Sequence, residues 1–391
     1  MAEQSRYNKT KSTKHSKKCL RTILVIVFVS ILCLLFWRLF FYESVDEKLA
    51  AIEAARAIPD SENAAIFYDQ LRKDYNDIAL PSHFVYPYDP ARMQPWFSKD
   101  FPELARWYEE RREITAKLLH INKYEKCRFP ILKFWEDFST TTDRSRTMRV
   151  IAVYLIRLAN NDIAENRIEQ GLEKYICAIR IGRHYRQRPF RISFMQGISI
   201  ESLALARMRY CILHSDLTEE HLQTIKKTLT QSNEEQTQNW EDMITVENLY
   251  AKQTPLLDRL KTWLQNWRNQ RSTLDLPHEM RTRVLADRYG NQILILLRNY
   301  KDNNGHWPQS LDDLQPFADK DTLIDPQNNG PFVYKVTEDS FILYGRGPNK
   351  IDEGGRFHME GGDDWLIWPR KIPQTKEKDS EVDISNQEPK E

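Results

Sequence analysis

The chain has 391 residues, with 57 Lys and Arg against 56 Asp and Glu. That length accommodates two or three domains at roughly 150 residues each, and the near-neutral balance argues against nucleic acid as a partner. The charge is uneven, however. Arg6, Lys9, Lys11, Lys14, Lys17, Lys18 and Arg21 precede residue 22 with only Glu3 against them.

The stretch after that basic tail (1–21) explains the asymmetry. Residues 22–42, TILVIVFVSILCLLFWRLFFY, are apolar except for Thr22, Ser30 and Arg38. About 20 such residues in a helix cross the hydrocarbon core. Arg38 lies close enough to the end to snorkel beside Trp37 and Tyr42. Basic residues before the span, and Glu43, Asp46 and Glu47 after it, place the N-terminus in the cytoplasm and predict a single-pass membrane anchor. No small-x-small cleavage site follows the run closely, so it reads as uncleaved.

Residues 43–102 read as a helical stalk followed by a connector. Pro59 breaks the helical pattern, and Asp60 or Ser61 is the expected cap of the next helix. Residues 80–102 carry five prolines and many aromatics, a composition that predicts packing against a neighbour rather than a loose linker. From 103 to 275 the helical period dominates. Ile168, Leu172, Tyr175, Ile176 and Ile179 mark one apolar face. Gly171, Tyr175 and Ala178 have the spacing of a tetratricopeptide second helix, with Leu155, Leu158 and Ala159 on its partner. Leu260, Trp263, Leu264 and Trp267 form an aromatic stripe at helical spacing, the kind amphipathic helices bury. Cys127, Cys177 and Cys211 stand singly, which is neither a disulfide framework nor a zinc site.

Residues 276–369 change character. A helix carrying Leu285, Tyr289, Ile293, Leu296 and Tyr300 ends at Asn303-Asn304-Gly305. Ser310 is positioned to cap a short helix. PFVYKV and SFILYG then alternate as an antiparallel hairpin. Six of the 12 glycines fall between Gly345 and Gly362. Residues 370–391 have almost no large apolar side chains and read as a disordered tail. The expected fold is therefore mainly α: a transmembrane helix, a body of helical hairpins, and a small α+β module.

The ordered series Gly305-His306-Trp307-Pro308, Ser310-Leu311-Asp312-Asp313-Leu314, Asp325-Pro326, Gly330-Pro331, Phe332-Val333-Tyr334, Phe341-Ile342-Leu343-Tyr344 and the final Gly361-Gly362-Asp363-Asp364-Trp365 resembles the head of the major pseudopilin of type II secretion. The resemblance covers about residues 281–369. It implies a bacterial inner-membrane protein with its bulk in the periplasm, and envelope or secretion-system proteins as partners. It also implies Ca2+ in the last loop, with Asn349, Asp363 and Asp364 at the side-chain ligand places and Asp352 as an addition. A hard cation wants six to eight oxygens, which suits a Gly/Asp loop; the alternative is a glycine-rich surface connection with solvated acids. The Gly-Phe-x-x-x-Glu processing motif of pseudopilins is absent before the apolar run, so a processed fibre subunit is not expected.

No catalytic motif stands out. His278-Glu279-Met280-Arg281-Thr282 lacks the second histidine of HExxH, and Gly345-Arg346-Gly347 is not followed by the glycine and helix of a dinucleotide site. Three functions follow as expectations. They are a non-catalytic envelope protein making protein contacts, an accessory part of a secretion or pilus-like machine, and an envelope hydrolase with a scattered site.

Overall fold

A computed structural model describes residues 26–33, 44–72, 75–84, 89–131, 134–230, 233–253, 261, 274–337, 340–356 and 362–369. The basic tail, the C-terminal tail and the Trp263/Trp267 stripe lie outside the described residues. The chain divides into two compact units, Met1–Ala55 and Arg56–Glu391. In the first, residues 26–33 are helical and exposed, and α1 covers Val45–Ala55. Among the described residues, no helix is long and apolar enough to cross a membrane; the rest of the predicted 22–42 span lies outside them.

The second unit begins differently from the sequence expectation. Pro59 opens a 3-10 turn, Asp60–Glu62, and the helix α2 (Ala64–Leu71) is capped by Asn63 instead of Asp60 or Ser61. The reason is a double duty. Asn63 Oδ1 accepts from Ala65 N at 3.1 Å and from Arg128 N at 2.8 Å, so the cap also ties the helix to the segment beside it.

The proline-rich connector is packed as its composition predicts. Trp96 is buried and donates its indole N–H to the Arg157 carbonyl at 2.9 Å. Asp89 caps the turn Pro90–Met93 and pairs with buried Arg157 at 2.6 Å. Asn160 and Asn161 donate to the carbonyls of Ala91 and Trp96. Backbone groups that prolines leave outside any ladder are thus satisfied by side chains. Two short helices follow, α3 (Pro102–Glu109) and α4 (Arg112–Leu119).

The body is built from α5 (Phe134–Ala164), α6 (Ile168–Arg186), α7 (Arg191–His214), α8 (Glu219–Leu229), α9 (Asn233–Gln253) and α10 (Asp275–Asn304). α6 packs on α5 and α7, and α7 packs on α10. The predicted α5/α6 hairpin is present: the turn uses Asn166 at φ 59°, and Tyr175 OH donates to Asn160 Oδ1 at 2.5 Å.

α6 and α7 approach until their backbones touch. A Cβ at Gly182 would lie 2.6 Å from the Gly197 carbonyl oxygen, and one at Gly197 would lie 2.5 Å from that of Gly182. Four residues further along each helix, Arg186 and Glu201 meet, with Nη1 to Oε2 at 3.3 Å. Residues four apart share a helix face, so the contact of the glycines and the pairing of the charges are one packing event.

In the C-terminal segment, Ser310 caps as expected, but the helix it starts, Leu311–Phe317, is 3-10. β1 (Ile324–Asp325) pairs with β2 (Gly330–Pro331). The predicted hairpin is β3 (Val333–Val336) against β4 (Phe341–Gly345), with Val333 opposite Tyr344 and Val336 opposite Phe341. A third strand, β5 (Trp365–Trp368), adds antiparallel to β4.

The predicted boundary between 275 and 276 does not separate two cores. α10 is packed against α7 and also meets β4 and β5, and Gly290 would place a Cβ 2.7 Å from Ile367. Arg209 of α7 fastens the arrangement. Its Nη2 bonds Asp287 Oδ1, its Nε donates to Asn291 Oδ1 at 2.9 Å, and its Nη1 donates to the Ile367 carbonyl at 3.1 Å. One buried guanidinium therefore holds α7, α10 and β5 together.

Gly197→Ala tests the helix crossing. Alanine is the better helix former by about 1 kcal/mol, but its methyl would overlap backbone, which cannot move aside as a side chain can. Overpacking of this kind costs about 1–3 kcal/mol or more. The full-length variant is expected to melt below the native protein; an equal or higher melting temperature would refute the close crossing.

Candidate functional site

β4 ends at Gly345 and β5 starts at Trp365, so the sheet itself brings the two ends of the Gly/Asp loop side by side. Residues 357–361 of the loop lie outside the described residues. Gly347, at φ 62°, turns the chain under Asp363: a Cβ there would be 2.6 Å from Asp363 Oδ1 and 2.3 Å from its carbonyl oxygen. Only glycine accommodates both that φ and that approach.

The four predicted ligands do not face one point. Asp352 Oδ1 accepts from Tyr344 OH at 2.6 Å and from Gly354 N at 2.9 Å, while its Oδ2 lies 3.5 Å from Lys335 Nζ. The carboxylate is turned toward the sheet. Asn349 Oδ1 accepts from Ile351 N at 2.7 Å, and its Nδ2 donates to Glu353 Oε1 at 2.6 Å. Asp363 Oδ2 accepts from Asn349 N at 3.3 Å, and Asp364 Oδ2 accepts from Gly355 N at 2.7 Å. Among the described residues, no three His, Cys, Asp or Glu side chains are gathered as a metal-ligand group.

Two of the three predicted carboxylate ligands nonetheless differ from the third. Asp363 Oδ1 and Asp364 Oδ1 are buried and without a hydrogen-bond partner among the described residues. Burial pushes the Asp364 carboxyl up to about 6, and the neighbouring acids Glu353 and Asp352 push the same way. Burial also raises Asp363. Asp352 is lowered, first by the Tyr344 hydroxyl, and Glu353 is lowered, first by the Asn349 amide. The oxygens with capacity to spare are thus those of Asp363 and Asp364. Glu353, which no sequence motif singled out, bridges to them by accepting from Asp363 N at 3.4 Å. Its place in the loop resembles that of any exposed acid in sequence, so only the fold identifies it.

Elsewhere among the described residues, the most deeply buried acid and imidazole are paired. Glu201 is fully buried, and its Oε1 accepts from Arg183 Nε at 3.0 Å and from Arg288 at 2.8 and 2.6 Å. Burial favours its neutral form, but Arg288, Arg186 and Arg183 outweigh it and hold the carboxyl down at about 2. His184 donates Nε2–H to the Tyr124 carbonyl at 3.0 Å, which leaves Nδ1 to accept from Tyr68 OH at 2.9 Å. Burial, reinforced by Arg180, drives that imidazole down to about 3, so it is neutral. Burial raises the thiols of Cys127 and Cys177, and that of Cys211 to about 12. The adjacent acids Asp312 and Asp313 serve the Ser310 turn: Asp313 Oδ2 accepts from Gln309 N and Ser310 N.

No known protein family, curated protein or solved structure matches the chain.

The raised Asp364 pKa has a fixed sign. A carboxyl whose folded pKa lies above its unfolded value of about 4 contributes stability when protonated and loses it as pH rises through the folded value. Without divalent cations, part of the native stability is expected to disappear between about pH 4 and 6. Asp364→Asn keeps an acceptor for Gly355 N and carries no charge. It is expected to melt above the native protein at pH 8 and to flatten that pH slope. Parallel profiles for the two proteins would show that Asp364 is not buried as a strained carboxylate.

Proposed function

We propose that the chain is a non-catalytic, single-pass membrane protein of the bacterial envelope. Its periplasmic helical body carries a pseudopilin-like head and holds it in one orientation for contact with other envelope proteins. The observation that carries this reading is the burial of α10 between α7 and β5, clamped by Arg209. A fibre subunit presents its long helix to neighbouring subunits; here that helix is enclosed by its own chain. The neutral imidazole of His184 and the raised thiols also favour a binding role, since a catalytic base or nucleophile needs the opposite tuning.

The order of the head elements, from α10 through the 3-10 turn and β1–β2 to β3–β4–β5, favours the narrower reading of an accessory component of a secretion or pilus-like system. Ca2+ would be held by Asp363 and Asp364 with help from Glu353 and the loop carbonyls; Asp352 and Asn349 are engaged elsewhere. When bound, the ion would offset the burial that chiefly raises Asp364 and the repulsion that adds to it.

Three measurements test this. A reporter active only outside the cytoplasm is expected to work when fused after Glu391 and to be silent at the N-terminus. The reverse pattern would overturn the topology. A photo-crosslinker at Ile351, which is 60% exposed on the loop, is expected to capture a defined envelope protein in intact cells; no discrete product would count against a contact-making head.

The calcium assignment is read from melting curves of the full-length protein. A site with few carboxylates binds in the range of about 10⁻⁴–10⁻³ M, and ten times Kd adds about 1.4 kcal/mol. Millimolar calcium is therefore expected to raise the melting temperature by a few degrees over chelator, and Asp364→Ala to abolish the gain. Identical curves for the native protein would leave the loop as a connection only.

A further inference from the structure

A second feature lies far from the Gly/Asp loop in sequence, on the face formed by α6, α8 and the segment around Glu125. A cavity of about 500 Å³ opens there, with Ile176, Arg180, Arg183, His184, Lys227 and Glu125 on its walls. That volume is in the range of small-molecule sites. Its walls hold three cations against one acid, and the acid, Glu125, is exposed.

Among the described residues these cations are only partly neutralised. Arg183 shares the single carboxylate of Glu201 with Arg186 and Arg288. Its Nε faces Glu201 Oε1 at 3.0 Å and its Nη2 donates to the Thr228 carbonyl at 2.6 Å, which leaves Nη1 without a bond among the described residues. Arg180 donates Nη1 to the Tyr124 carbonyl at 2.9 Å and has no carboxylate partner among the described residues. Lys227 likewise forms no ion pair among them. Burial lowers the Arg183 pKa to about 10, with Arg288 and Arg180 adding to the effect against the pull of Glu201.

Several of the remaining polar wall groups are already committed. His184 spends both ring nitrogens on Tyr68 and Tyr124. Thr228 and Thr230 donate their hydroxyls to helix carbonyls, so they offer lone pairs rather than protons. What the cavity presents inward is a cluster of charged N–H donors on two helices, apolar surface from Ile176, and hydroxyl acceptors. Guanidinium groups suit the planar, multidentate recognition of oxyanions, and a charged, partly enclosed wall concentrates counter-ions.

We infer that this cavity is a binding site for a phosphate-bearing organic anion, gripped by Arg180, Arg183 and Lys227, with its body against Ile176. The phosphate belongs either to a soluble phosphomonoester or to a lipid headgroup, and the chemistry of recognition is the same for both.

The test uses detergent-solubilised full-length protein and calorimetric titration with inorganic phosphate, sn-glycerol 3-phosphate and water-soluble dihexanoyl phosphatidic acid. At least one of the three is expected to bind saturably and more weakly as salt rises, and a preference for the third over the second identifies the lipid source. Arg180→Gln and Lys227→Gln change exposed or half-buried positions whose loss leaves the Glu201 cluster intact. Each is expected to weaken binding about tenfold or more, as for one charge-assisted hydrogen bond, while the ligand-free variant still unfolds in one cooperative transition. Arg183→Lys keeps the charge and is expected to retain part of the affinity if it folds. Absence of saturable binding by all three probes, or binding indifferent to both glutamine variants, overturns the assignment.

Discussion

Everything in the body follows from the contact between Gly182 and Gly197. With no side chain on either residue, α6 and α7 close to backbone contact, and the turn after each glycine brings Arg186 and Glu201 together. Glu201 then becomes a fully buried anion. Burying one carboxylate costs several kcal/mol unless charges and hydrogen bonds surround it. Arg183 comes from the same face of α6, and Arg288 comes from α10. The close crossing thus creates a demand for positive charge that recruits the third long helix.

Such a centre gives a particular kind of order. Buried ion pairs contribute little net stability compared with apolar side chains of the same volume, because desolvation consumes most of the Coulombic gain. Their bonds are directional, however, and a helix that slides or rotates loses them together. Arg288 donates through both Nε and Nη2 to one oxygen, and Arg209 uses all three of its nitrogens on separate groups. The two clusters lie on α7 eight residues apart, and both grip α10. The register of α10 against α7 is accordingly fixed at two points by geometry.

The same clusters show where the sequence was readable. The α5/α6 hairpin, the β3/β4 hairpin, the Ser310 cap and the packed connector were legible because each is a local pattern of spacing or composition. The charged interior was not. Periodicity assigned Leu285, Tyr289, Ile293, Leu296 and Tyr300 to the packed face of α10, yet Asp287, Arg288, Asn291 and Gln292 are buried as well. Charged residues on a helix ordinarily mark its wet side, and their partners here stand 78 to 87 residues away. Gly182 and Gly197 carried a usable signal: each sits inside a helix, where glycine is costly, four residues before a charge. The candidate loop was half legible. Its acids and glycines announced a tight polar turn, but which oxygens remain unsatisfied depends on Tyr344 and Lys335, which draw Asp352 away.

The loop and the clamp meet at adjacent residues. Asp364, with a buried oxygen unpaired among the described residues, precedes Trp365, whose indole N–H donates to Asp287 Oδ1 at 3.0 Å. That is the oxygen that also binds Arg209. The strand leaving the loop is therefore anchored at its first residue to the charge pair joining α7 and α10. A loop on a freely hinged head could relieve the repulsion between its acids by swinging them into water. Here the first residue of β5 cannot follow such a movement without giving up its hydrogen bond to the buried Asp287 carboxylate, a bond to a charged group worth about 1.5–3 kcal/mol. The strain on Asp364 is held in place through the same carboxylate that joins α7 to α10, and it persists until a proton removes it.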